Sequence, residues 1–350
     1  MRLLKFNLYQ KILLSVGIVI VAFDVFFTAL IYQTAKNDMQ LRDKEAFLKF
    51  TFDLVRITER SFSHGRTVSQ TLASHTEVRK FMSQSKGTKI RNSTQVQALM
   101  ENHNLGKLFS AIYLVDTSGY VVASTDQSFL DHNSGLSNYF KSAINGDFGV
   151  DAGMCVVKKK IGYYFSYPIY SLDGATITGV AVVKMDPAVI HDDLRSTDFG
   201  LDSSIMFTND NGVILFSEKP ERILWSLTKL TQEQIEEERT ARFINRKIEP
   251  LTYEFVWKEI DNFVRPTMVE AYDEKDKMDE VVSVAKVGEY PFYLVVEASK
   301  SSLLKHISDQ MPPILIYVSL NIILSLVLIG ILLHFFLKPK KVIRVSRRSR

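Results

Sequence analysis

Two long apolar runs bracket the chain. Ile12–Tyr32 reads ILLSVGIVIVAFDVFFTALIY and contains one charge, Asp24. Pro313–Leu337 reads PILIYVSLNIILSLVLIGILLHFFL and contains no Asp, Glu, Lys or Arg. As helices, both are long enough to cross a hydrocarbon core of about 30 Å. The first run exceeds the roughly 7–15 apolar residues of a cleaved signal peptide. Its end, Ala29 to Ala35, is poor in small-x-small cleavage sites, so a retained anchor is expected.

Between the runs the periodicity changes twice. Residues 34–82 lack proline, and apolar residues recur at Leu41, Leu48, Val55 and Phe62, with a second stripe at Phe47, Phe50, Leu54 and Ile57. This predicts one long helix, buried either on two sides or along a single wide face. From residue 109 the pattern turns to alternation. Phe109–Asp116, the turn Thr117-Ser118-Gly119 and Tyr120–Ser124 carry a hairpin signature. The same pattern returns downstream: IYLVDTSGYVVAS (Ile112–Ser124) aligns without gaps on IMFTNDNGVILFS (Ile205–Ser217). A second echo follows. Val182–Asp186 and Val295–Ser299 each run from a strand into a helical stretch, with Asp186 and Ser299 suited to cap it. The two echoes in order predict a duplicated unit. Further elements expected in the second copy are strands near Thr252–Glu259 and Val281–Lys286, a charged helix near Thr231–Arg242, and a helix at about 301–311 leading into the second apolar run.

Charge sharpens this layout. The net +4 is concentrated at the ends, with three cations in residues 1–11 and seven in 338–350 and no acid in either, so the middle is about −5. A nucleic-acid-binding surface is not indicated. The Lys/Arg bias instead places both ends in the cytoplasm and residues 33–312 outside it. The single cysteine, Cys155, excludes an intrachain disulfide. Asp24 and Ser325 lie at equal depth when counted inward from Lys11 and Lys338, with Asn321 one turn further out. A mid-bilayer carboxyl seeks a polar partner, either Ser325 or Asn321 in a helix bundle, or else it is protonated towards lipid or water.

The segment Ser128–Gly146 is similar to the F-x-G-x-(Y)-S-x-R-P-Y-F-x-x-A-x-x-G stretch of double Cache sensor domains. Gly162–Ile169 (GYYFSYPI) resembles their G-Y-Y-x-S-x-P-V strand, and Gly179–Asp186 (GVAVVKMD) their G-V-V-V-V-K-V-D strand. The pattern is nearest to sensors of the C4-dicarboxylate histidine-kinase type, without the kinase. The resemblance implies an α+β fold: a long N-terminal helix plus two PAS-like lobes with antiparallel sheets, flanked here by two transmembrane helices. The corresponding boundaries are 1–11 cytoplasmic, 12–32 first span, 33–82 helical stalk, 83–198 membrane-distal lobe, 199–312 membrane-proximal lobe, 313–337 second span and 338–350 basic tail. It also implies a homodimer through residues 34–82. In the family an arginine before Pro-Tyr-Phe and a lysine of the last strand grip ligand carboxylates. The lysine is present as Lys184, but the arginine position holds Ser137, the proline Asn138, and the preceding aromatic Ser134. Bidentate carboxylate recognition therefore cannot occur at Ser137.

The residues expected to meet a ligand are Lys184, Ser166, Tyr164, Ser137, Tyr139 and His132. Lys184 shares its strand face with Val180 and Val182 by alternation; pointing inward it would need an anionic partner, and in the other register it faces solvent. No phosphate loop, H-E-x-x-H, G-x-S-x-G or CxxC motif occurs, so no enzyme, metal site or cofactor is expected. After Leu337 only the basic tail 338–350 remains, which suggests a truncated receptor or signalling through a cytoplasmic or membrane output partner. Two readings result. The first is a membrane-anchored extracytoplasmic sensor, in a bacterial inner membrane, for a small anionic or zwitterionic metabolite. The second is a non-catalytic membrane-tethered interaction or regulatory protein without a functional pocket.

Overall fold

The computed structural model describes residues 8–84, 86–155, 157–197, 203–243, 247–250, 267–273, 277–302 and 312–337. The chain forms two units, one of residues 1–44 with 303–350 and one of residues 45–302. Helix α1, Leu8–Ser74, contributes to both.

In the first unit, α1 holds an apolar stretch beginning at Ser15 that is long enough to cross a membrane. Among the described residues it is the one helix that meets this standard. Helix α7, Pro312–Leu337, carries a shorter apolar run, Ser319–Ile331. The two helices touch where Gly17 is buried, since a methyl there would lie 3.2 Å from Ile329 Cγ2.

In the second unit α1 continues to Ser74 and breaks at His75, whose extended backbone caps α2, Thr76–Met82. Helix α3, Lys86–Asn102, follows. The first lobe is a five-stranded antiparallel sheet of β1 Phe109–Asp116, β2 Val121–Ser124, β3 Gly149–Met154, β4 Ile161–Tyr170 and β5 Ile177–Met185, ordered β2-β1-β5-β4-β3. Helix α4, Asn138–Ile144, packs on it, and α5, Pro187–Arg195, leaves it behind an Asp186 cap. The second lobe contains β6 Ser204–Asn209, β7 Ile214–Ser217, the short parallel pair β8 Trp225–Ser226 and β9 Glu249–Pro250, and helix α6 Gln232–Glu237. Its sheet is completed by β10 Thr267–Asp273, β11 Met278–Lys286 and β12 Phe292–Ser299, in the order β10-β11-β12-β6-β7.

The two sheets have the same topology, each a hairpin followed by the last, middle and first of its remaining strands. Their registers match too. Ile112 pairs with Val183 and Ile205 with Val296, and the hairpin bulges fall between Leu114 and Val115 and between Phe207 and Thr208. The turns use one chemistry. Asp116 Oδ1 accepts from the backbone of Ser118 and Tyr120, and Asn209 Oδ1 accepts from that of Asn211 and Val213. Gly119 and Gly212 take the positive φ that closes each turn. The expected charged helix begins with a Thr231–Gln234 capping box but converts after Glu237 into a π-helical turn, Glu238–Arg242. The expected strand near Thr252–Glu259 and most of the helix at 301–311 lie outside the described residues. Strand β10 and helix α3 have no counterpart among the elements that the sequence pattern predicts.

Phe62 of α1 is fully buried between the lobes. Its ring lies 5.5 and 5.3 Å from Tyr163 and Phe165 of β4, and 6.0, 5.2 and 5.1 Å from Phe207, Tyr290 and Phe292 of the second lobe. One turn on, a methyl at Gly65 would stand 2.5 Å from the Phe165 ring, so glycine is what lets the helix lie this close. Phe62→Ala is expected to cost about 3–5 kcal/mol, the usual range for emptying an aromatic core site. Thermal denaturation of the full chain checks this, and a cost below about 1 kcal/mol would contradict the assigned packing.

Candidate functional site

The face of the first sheet turned away from Phe62 carries a row of paired residues. Asp151 pairs with Tyr164, Tyr164 with Lys184, and Lys184 with Ala111. Directly paired residues project to the same face, so a carboxylate and an ammonium flank one aromatic ring. Under α4 this face encloses a small cavity of about 40 Å³ lined by Tyr113, Phe129, His132, Tyr139, Asp151 and Tyr164, with Ser137, Cys155 and Ala241 at its edges. Such a volume holds a few waters at most. Aromatic rings fill the rest. Tyr139 stacks on Tyr164 at 4.7 Å, Tyr113 on Phe129 at 5.4 Å, and the hydroxyls of Tyr113 and Tyr139 are hydrogen-bonded at 2.9 Å.

The sequence-predicted residues occupy distinct places around this cavity. Tyr164, Tyr139, Ser137 and His132 line it. Ser137 is the N-cap of α4 yet makes no side-chain capping bond; its hydroxyl instead interacts with that of Tyr139. Burial raises the Tyr139 and Tyr164 phenols above their usual range and lowers His132 below the usual histidine value, so all three are neutral at pH 7. Ser166 lies on the same strand face but braces the wall, donating to the carbonyls of Tyr139 at 2.7 Å and Gly149 at 3.2 Å. Lys184 is buried beyond Tyr164, outside the lining. Its ammonium donates to Ser110 Oγ at 2.9 Å, and among the described residues no carboxylate is within ion-pair distance. Burial lowers its pKa, against the pull of Cys155 and Asp186. Lys184 and the Tyr164 hydroxyl converge over Gly162, where a methyl would meet Lys184 Cε at 2.8 Å and the Tyr164 oxygen at 3.3 Å. In the other unit, Asp24 and Ser325 are half-buried and Asn321 is exposed, and Asp24 Oδ2 is buried without a hydrogen-bond partner.

The second lobe fills the same position differently. Glu297 is the counterpart of Lys184 by strand pairing. It is buried and neutralised from within: Arg222 donates to both of its oxygens at 2.9 Å, and Lys219 lies at 3.0 Å. Arg222 occupies the place of Phe129, each ending a short 3-10 turn after its hairpin. The second lobe thus closes its charge internally, whereas Lys184 is bonded to a neutral hydroxyl.

Sequence reasoning missed Asp151, Tyr113 and Phe129, and two residues of the other lobe, Ala241 and Arg242. Asp151 left a faint signal, an acid inside the small-residue run Gly149–Gly153. Arg242 left none, being one cation in a highly charged helix. Its guanidinium is buried; Nε donates to Asp151 Oδ1 at 2.9 Å, and Nη1 to Asp210 at 2.8 Å and Glu238 at 2.6 Å.

Burial, opposed by Arg242, pushes the Asp151 carboxyl up to about 7, and Asp210 and Glu238 add to the rise. Its folded value lies above the unfolded one, so its stability contribution is full below pH ~4 and is lost as pH rises towards 7. His191, hydrogen-bonded to Tyr163 at 2.8 Å, has the opposite slope. Burial lowers it to about 4, so stability is lost as pH falls from about 6.5. Asp151→Asn is expected to raise stability at pH 7 relative to pH 5, compared with wild type. Melting temperatures at the two pH values test this; unchanged relative stability would show that Asp151 is ionised throughout.

A Cache domain model, dCache_1, matches residues 30–307. The sensor domain of the V. cholerae histidine kinase DctB superposes with a TM-score of 0.59 at 19% identity, covering 77% of this chain and 98% of that one. The ligand-binding domain of Mlp24 with asparagine gives 0.53 at 13% identity, covering 78% and 99%. That of the amino acid chemoreceptor PctB from Pseudomonas aeruginosa PAO1, in complex with L-Arg, gives 0.51 at 17%, covering 74% and 97%. At these identities the likeness is one of fold. No curated protein matches the chain. The apolar N-terminal helix fits a transmembrane anchor. With the match running from the end of that apolar stretch through both lobes, the chain belongs to the Cache domain family.

Proposed function

We propose that this protein is a membrane-anchored extracytoplasmic sensor whose first, membrane-distal lobe binds a small zwitterionic metabolite of amino-acid type. The observation that carries this reading is the row Asp151–Tyr164–Lys184. It offers a negative and a positive pole on either side of an aromatic wall, about two strand spacings, or ~10 Å, apart. A dicarboxylate would satisfy Lys184 but set a second anion against Asp151. The absence of an arginine at Ser137 points the same way. The liganded Cache neighbours, bound to asparagine and to L-Arg, make amino acids the first class to test.

The cavity is too small for such a ligand as it stands. Opening requires the Tyr139–Tyr164 stack and the Tyr113–Tyr139 hydrogen bond to yield, and a ligand drives this only by its differential affinity for the open form. The signal then passes through the second lobe to the membrane. In this topology α7 is a second span antiparallel to α1, and both termini are cytoplasmic. Asp24 then lies two turns beyond Gly17 on the same face of α1, and its unpaired oxygen calls for a polar residue of α7, Ser325 or Asn321. A homodimer forms through residues 34–82.

A thermal-shift screen of the purified full chain against the common L-amino acids, their decarboxylated amines and succinate tests the reading. A zwitterion at a hundredfold excess over its Kd is expected to stabilise by about 2.7 kcal/mol, and Lys184→Ala is expected to abolish the shift. The interaction-protein alternative gains if no compound shifts the transition, or if a hit ignores the loss of Lys184.

A further inference from the structure

The ligand cavity is not closed by the first lobe alone. Ala241, in the π-helical turn of the second lobe, forms part of its lining. The turn reaches β3 because Gly153 has no side chain: a methyl there would meet the Arg242 carbonyl oxygen at 3.1 Å and its Cα at 3.4 Å. A second bond joins the lobes at the rim, from Asn138 Nδ2 at the start of α4 to Glu237 Oε1 at 3.2 Å. Across the π turn Phe243 N donates to Glu238 O at 2.6 Å, the kind of local irregularity that clusters at functional sites.

The hydrogen bonds of Arg242 are divided unequally across this seam. One, from Nε, crosses to Asp151; two, from Nη1, stay in the second lobe with Asp210 and Glu238. If the crossing bond breaks, Arg242 keeps two carboxylates. Among the described residues Asp151 keeps only the bond from its neighbour's backbone, Ala152 N at 2.9 Å. A buried carboxylate stripped of its counter-charge is strongly unfavourable, so the bond breaks when Asp151 takes up a proton or when another cation replaces Arg242.

We infer that Arg242 is an internal stand-in for the cationic group of the ligand: in the empty protein it occupies Asp151 from the second lobe, and a ligand bringing its own ammonium to Asp151 displaces it, freeing the turn Glu238–Arg242 from β3. This rests on the zwitterion reading above and deepens it in two respects. It makes the ligand's positive pole the trigger, so that an anion alone can occupy Lys184 without releasing the seam. It also makes Ala241 and Arg242 specificity-determining residues contributed by the lobe that does not hold the ligand.

Two measurements on the full chain in nanodiscs test it, with the common L-amino acids as zwitterionic probes and succinate as the anionic one. In wild type, the amino acid that binds is expected to speed hydrogen exchange of the amides of residues 238–243 at least tenfold, and succinate is expected to leave them unchanged. In Arg242→Gln, which removes the competitor, the same amino acid is expected to bind at least tenfold more tightly, with succinate binding unaltered. Binding of an amino acid to wild type with no change at 238–243 overturns the inference and leaves the sensor reading intact. Equal exchange enhancement by succinate overturns it as well. If no amino acid binds either wild type or Arg242→Gln, both readings fall; binding to the variant alone supports the competition. The exchange measurement on wild type stands even if the variant does not fold.

Discussion

In the 45–302 unit the stalk and the two lobes meet at Phe62. A single ring on α1 touches two aromatic residues of the first lobe and three of the second, so the stalk and both sheets share one piece of core. Aromatic pairs at these separations add to the stabilisation from burial alone. Close packing of this kind transmits displacement, because a filled core cannot absorb a shift by compression. Glycine at position 65 is the other half of the constraint, since it brings the helix backbone onto the Phe165 ring. Phe165 and Tyr164 are neighbours on β4, one facing the stalk and the other the cavity. A change in the aromatic stack over the cavity is therefore one residue away from the stalk contact.

The two lobes show duplication followed by chemical divergence. Topology, register, bulge and turn are the same in both. What differs is the charge at one equivalent position, Lys184 against Glu297, and the residue facing it, Phe129 against Arg222. In the second lobe an acid and an arginine complete each other, and the site is closed as a buried ion pair. In the first lobe a lysine is set beside aromatic rings with a serine as its partner. Burying an ammonium this way is unfavourable. The turn residue diverges in the same sense: Asn209, unlike Asp116, has an amide that donates to Glu238 at 2.9 Å, which ties the second hairpin to the π turn at the seam.

That seam brings three carboxylates around one guanidinium, with Asp151 from the first lobe and Asp210 and Glu238 from the second. An ion pair inside a protein contributes less to stability than to selecting one arrangement over another. Here the selected arrangement is the docking of the π turn on β3, with Gly153 permitting the approach.

The hairpins, the repeat and the apolar N-terminal helix were legible in the chain itself, because periodicity and turn chemistry are local: a strand alternates and a turn needs its glycine whatever lies across from it. Resemblance added the family and pointed to Lys184, Tyr164, Tyr139, Ser137 and His132 as a neighbourhood. Asp151, Arg242 and Phe62 acquire their roles only in three dimensions. Asp151 and Lys184 share a row because β3 and β5 flank β4, a matter of sheet order that no spacing along the chain encodes. Arg242 meets Asp151 from a distant part of the chain, and its neighbours in sequence are indistinguishable from a solvated helix face. Ser166, a natural ligand contact by its strand position, is drawn into tying α4 to β3 by two carbonyls that folding places within its reach. Local pattern decided what each segment became, and the pairing of distant strands decided which side chains could act together.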